Sequence, residues 1–148
     1  MEPSKLNINQ FKYQKQMENL LKKGLKMPEL HSPCGMEAYR YVFSNGDNRN
    51  HKPVLVLNPT RSLPDELKFS GYALSCYDNE EKAVNRYRDL CKTRKKISLV
   101  LGDALSFGRL NDTDGMISNV DLDTRHFDFY EFENCDLSKT FSIKRFLI

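Results

Sequence analysis

Arg40, Ser75 and the pair Glu131/Glu133 are residues whose types and order suit one piece of chemistry. An inward-facing arginine can grip a diphosphate through two parallel N–H bonds, because its planar fork matches two phosphate oxygens. A serine at a strand end can brace that arginine or a ribose hydroxyl. Two carboxylates placed two residues apart on one strand point to the same side. There they can hydrogen-bond a ribose and stabilise a developing oxocarbenium ion. Arg40 lies in AYRYVF, Ser70 and Ser75 in FSGYALSCY, and the two glutamates in FYEFEN.

Other clusters carry weaker signals. His126 and Asp128 are also two apart in HFDFYEF, so a strand would set them side by side, with Tyr130 next in the row. That arrangement suits a general base oriented by a carboxylate, or a surface histidine beside solvated acids. His31, Cys34, His51 and Cys76 are metal-ligand types, but structural zinc sites announce themselves by paired ligands, so no metal is expected. Asp112, Asp114 and Gly115 have too few donors for an EF-hand and read as a turn. G-x-G-x-x-G, G-x-x-x-x-G-K-[ST], G-x-S-x-G and H-E-x-x-H are all absent.

These residues need elements to hold them. A first helix is expected over about 8–23, capped by Asn7 and stopped at Gly24, with Ile8, Phe11, Met17, Leu20 and Leu21 as its apolar stripe. Strands are expected at 36–43, 52–58, 72–77, 96–102, 104–110, 126–132 and 140–148. A short helical turn should follow Pro64, and NDTDG (111–115) should turn. Asp78 and Glu81 form a capping-box pattern ahead of a helix over 79–94, whose face is Ala83, Val84, Tyr87, Leu90 and Cys91. The sum is one α+β domain over 1–148: the N-terminal helix, then a body from 36 to 148. Its sheet should be mixed, mainly antiparallel and bent, of about six to seven strands with about two helices.

The chain has 148 residues, 39% hydrophobic and 29% charged, enough for a core of its own. No apolar run is long enough to span a membrane, and MEPSKLNINQFKYQKQ lacks the apolar heart of a signal peptide. A cytoplasmic location is the expectation, with Cys34, Cys76, Cys91 and Cys135 as free thiols; two disulfides are the alternative in an oxidising compartment. Net charge is only +3, yet it is sorted. Residues 82–96 carry seven Lys/Arg against one Asp, whereas 111–136 carry eight Asp/Glu against Arg125 alone.

In order and rough spacing, Arg40, the Ser-bearing strand leading into a helix, and Glu131-x-Glu133 resemble the R–S–E pattern of ADP-ribosyltransferases. Leu74-Ser75-Cys76 stands where that family usually has Ser-Thr-Ser, and Tyr41 stands where many members have Gly. The resemblance implies a split, bent sheet that carries NAD. It implies Arg40, Ser70 and Tyr72 on the NAD and Ser75, Glu131 and Glu133 in the transfer of ADP-ribose to a macromolecule. GRLNDTDGMIS and HFDFYEFENCDLSKTFSI are also similar to the C-terminal half of small bacterial proteins, which implies no activity.

Two further readings stay open. One is a non-enzymatic interaction module, of accessory, immunity or antitoxin type, which meets a protein partner through its sorted charges. The other is weak nucleic-acid contact through Lys12, Lys15, Lys22, Lys23 and the 86–96 face. A net charge this small is far from that of dedicated nucleic-acid binders.

Overall fold

Alternation along the strands decides how the sheet is covered. The computed structural model describes residues 8–148. Six strands, β1 (Met36–Val42), β2 (Leu74–Tyr77), β3 (Ala104–Leu110), β4 (Gly115–Ile117), β5 (His126–Glu131) and β6 (Ser142–Phe146), form one sheet. Their order is β4-β5-β2-β1-β3-β6, with each adjacent pair antiparallel. Five α-helices accompany them: α1 (Gln14–Lys22), α2 (Val54–Leu57), α3 (Glu80–Thr93), α4 (Ile97–Leu101) and α5 (Leu137–Thr140). The class is α+β, and no described helix is long and apolar enough to cross a membrane.

On one face Ala38, Leu74, Cys76, Phe127 and Phe129 pack with Leu137 and Phe141, at the two ends of α5. On the other face lie two separate clusters. Tyr39, Tyr77 and Leu105 receive Ala83 and Val84 of α3. Tyr130 receives Phe11 and, from α1, Met17 and Leu20.

Several elements depart from the sequence expectation. VLVL (54–57) and ISLVL (97–101) are short helices, not strands. A mostly apolar run of four or five residues carries no period that tells helix from strand. Pro53 starts the first of them, and its Leu55 lies on Gly71, where an added Cβ would collide with it. Gly102, at φ +106°, ends the second. The helix cap before α3 is Asn79, whose side chain accepts from the Lys82 N–H; Asp78 instead makes a bidentate bond to Arg125. The expected helix over 8–23 is a 3-10 turn (Ile8–Gln10) followed by α1, because Phe11 leaves the helical path to bridge Phe132. The Asn7 cap lies outside the described residues. Strand β4 and helix α5 were not expected; the latter takes the start of the segment read as a strand over 140–148.

The sheet is not closed evenly. β1 runs alongside β3 through seven paired positions, from Met36↔Leu110 to Val42↔Ala104. Against β2 its register holds at Tyr39↔Tyr77, and beyond that point the two strands diverge. The divergence opens the site.

Candidate functional site

A cleft of about 670 Å³ lies where β1 and β2 separate. β1 supplies Arg40 and Tyr41, β2 supplies Ser75 and Tyr77, and β5 supplies His126 and Asp128. Ser70 stands in the 3-10 turn that leads into β2, and Arg86 comes from α3.

Arg40 is only 8% exposed and is held at two points. Its Nη1 donates to the Ser75 carbonyl at 2.6 Å, and its Nε donates to His51 Nδ1 at 3.1 Å. The first bond satisfies a backbone acceptor on the β2 edge that turns away from β1. The second sets the tautomer of His51, whose Nδ1 must be unprotonated to accept. Burial, reinforced by the Arg40 charge, pushes the His51 pKa down to about 4. His51 also sits at φ +60°, a backbone conformation uncommon for a non-glycine residue.

A chain of polar groups crosses the β2–β5 ladder. Ser75 is the register partner of Asp128, and its Oγ lies 2.6 Å from His126 Nε2. His126 Nε2 is 4.0 Å from Asp128 Oδ1, and Ser70 Oγ donates to Asp128 Oδ2 at 2.7 Å. Burial lowers the His126 pKa, partly opposed by the Asp128 and Asp121 carboxylates. Burial raises that of Asp128 against the Ser70 hydrogen bond and the His126 charge. Both shifts have one cause: removal from water disfavours the charged form of each group. The expected side-by-side placement of His126 and Asp128 is therefore present, with Ser75 added to it.

Charge in the cleft is one-sided. Arg40, Arg49, Lys52, Arg61 and Arg86 line it, and among the described residues the lining carboxylate is Asp128. No group of His, Cys, Asp and Glu among the described residues is placed to hold a metal ion.

Of the residues singled out in the sequence, Arg40, Ser70 and Ser75 come together here. Tyr72 does not line the cleft and packs against the Phe11–Tyr130 cluster. The glutamates do not act as a pair. β5 ends at Glu131, so Glu133 belongs to the turn beyond it and is exposed. Glu131 follows Phe127 and Phe129 in the strand alternation and faces away from the His126–Asp128 row. It is 3% exposed and accepts from Lys12 Nζ at 2.8 Å. Its other oxygen, Oε1, has no hydrogen-bond partner among the described residues, and the Cys135 thiol lies against the same carboxylate. Burial raises the Glu131 pKa despite Lys12 and pushes the Cys135 thiol up to about 12.

Sequence reasoning missed Arg49, Lys52 and Arg61 as cleft cations. Lys52 opens a run read as a strand and the two arginines flank it, and nothing in their spacing signals a shared cavity. Arg86 was read only as part of a basic helix. No family model matches this chain, and neither does any curated protein or solved structure.

Proposed function

We propose that the cleft between β1, β2 and β5 binds a small polyanion of the diphosphate or dinucleotide type, with NAD as the leading candidate. One observation carries this reading: five cationic residues line one cavity against a single lining carboxylate among the described residues, and although Arg49 is paired with Asp47 and Arg40 is tied to Ser75 and His51, the excess of positive charge stands. In a partly desolvated cleft such an excess of charge favours a phosphate-bearing ligand. A volume of about 670 Å³ falls within the ordinary range for small-molecule sites, roughly 300–1,000 Å³. Arg40 contributes charge and holds the cleft wall, because its Nε and Nη1 donors are taken by His51 and the Ser75 carbonyl. Arg61 and Arg86 are exposed at the cleft and neutralise the outer phosphate. Tyr41 and Tyr77 offer ring surface for a base.

Transfer of ADP-ribose fits this cleft less directly than binding does. Glu133 and Glu131 do not line it, so any carboxylate chemistry on a bound NAD falls to Asp128. Calorimetric titration with NAD, ADP-ribose and inorganic pyrophosphate tests the binding. Arg61→Ala and Arg86→Ala should each weaken it about 3- to 10-fold. No binding of any of the three at millimolar concentration ends the reading. Nicotinamide release followed by NMR separates the carboxylates. Loss in Asp128→Asn puts the chemistry in the cleft, whereas loss in Glu133→Gln restores the assignment the family resemblance implies.

A further inference from the structure

We infer that Ser75 and His126 form a nucleophile–base pair that transfers a phosphoryl group from a phosphate ester bound in the cleft. The inference rests on the anion-binding reading only for the class of substrate. The pair itself stands on geometry: Ser75 Oγ is 2.6 Å from His126 Nε2, within the reach a general base needs. Ser75 is exposed to the cleft although its strand neighbours Leu74 and Cys76 are buried. His126 is fixed by its neighbours: its ring packs edge-on to Tyr77 at 5.3 Å, and its backbone carbonyl accepts from the Asp121 N–H at 2.8 Å. The charged groups facing it are Asp128 on its own strand and Asp121 in the loop before it. Asp128 is in turn held by Ser70 through Oδ2, which leaves its Oδ1 4.0 Å from His126 Nε2.

The step balances. Ser75 Oγ forms a bond to phosphorus as its proton passes to His126 Nε2, and the P–O bond to the leaving alcohol breaks. The imidazolium returns that proton to the departing oxygen. Water then attacks the phosphoserine, giving its proton to His126; the P–Oγ bond breaks, inorganic phosphate leaves, and the imidazolium returns the proton to Ser75 Oγ. The cations that hold the ligand neutralise the non-bridging oxygens throughout.

The test uses the full chain and diisopropyl fluorophosphate, in which Ser75 Oγ displaces fluoride from phosphorus. Labelling is located by peptide mass spectrometry. Ser75 should be modified well above the rate of the urea-unfolded chain, and Ser75→Ala should remove that label. His126→Gln, checked for folding by circular dichroism, should slow labelling by about 100-fold. The rate should rise with pH as His126 loses its proton, with a midpoint below the ordinary imidazole value of 6.5 because burial lowers it. Inorganic pyrophosphate should protect Ser75. A Ser75 that reacts no faster than in the unfolded chain, or a rate indifferent to His126→Gln, overturns the inference. If labelling depends on His126 but pyrophosphate gives no protection, the pair stands and the anion reading of the cleft fails. If calorimetry shows anion binding without labelling, the pair fails and the binding stands.

Discussion

Arg40 donates through Nη1 to the backbone carbonyl of Ser75 at 2.6 Å, across the gap where β1 and β2 diverge. A side chain thus replaces a ladder hydrogen bond, and the split it spans becomes a cleft. The same guanidinium reaches His51 through Nε. One buried cation therefore joins β2, the loop before α2 and the cavity.

His51 should give the fold a dependence on acid. Its folded pKa is about 4 against an ordinary 6.5, so the unfolded chain binds its proton first as pH falls. Its contribution is fully present above pH 6.5 and is lost as pH falls toward 4. The loss is on the order of 2–3 kcal/mol. Urea unfolding at pH 7, 5.5 and 4.5 should show that decline, and His51→Asn should flatten it. An unchanged slope in His51→Asn would show that other groups carry the acid dependence.

Lys12 and Glu131 should hold the N-terminal segment to the sheet. Glu131 is almost wholly buried, whereas the Lys12 side chain keeps 28% exposure. Lys12 also donates to the Cys135 carbonyl at 2.6 Å, and its backbone N–H donates to the Glu131 carbonyl. Lys12→Met strands a buried carboxylate and should cost about 2–4 kcal/mol. Glu131→Gln in that background should recover part of the loss, because the amide carries no charge to strand. Additive losses in the double variant would contradict the pairing.

Gly102→Ala should destabilise by about 3 kcal/mol or more. At φ +106° the backbone suits glycine, and an added Cβ would run into the Val42 carbonyl oxygen. The Gly102 carbonyl also accepts from the buried Tyr87 hydroxyl at 2.7 Å, so movement there disturbs α3 as well. A drop in Tm of roughly 6–12 °C is expected. A melting curve unchanged by the substitution would show that α4 ends without that constraint.

The sequence was most readable where period and capping agree. β1, β3, β5 and α3 stand close to their expected bounds because alternation or a helical stripe ran long enough to be unambiguous. α2 and α4 were misread because VLVL and ISLVL are short and mostly apolar, and packing on Gly71 or a stop at Gly102 is tertiary information. The site was legible in part. Arg40, Ser70 and Ser75 meet, and His126 and Asp128 lie side by side. The Glu131/Glu133 pair failed as a shared strand face because the strand ends between the two residues. Arg49, Lys52, Arg61 and Arg86 come from different loops and one helix, so no spacing within any segment brings them together.

Titration of the ¹⁵N-labelled protein with inorganic pyrophosphate, followed by amide chemical shifts, tests the cleft most directly. Saturable shifts are expected at Ser70, Ser75, Arg86 and His126, weakened by added salt and reduced in Arg61→Ala. Shifts confined to the outer basic stretch Lys92–Lys96, or none at millimolar pyrophosphate, would contradict anion binding in the cleft.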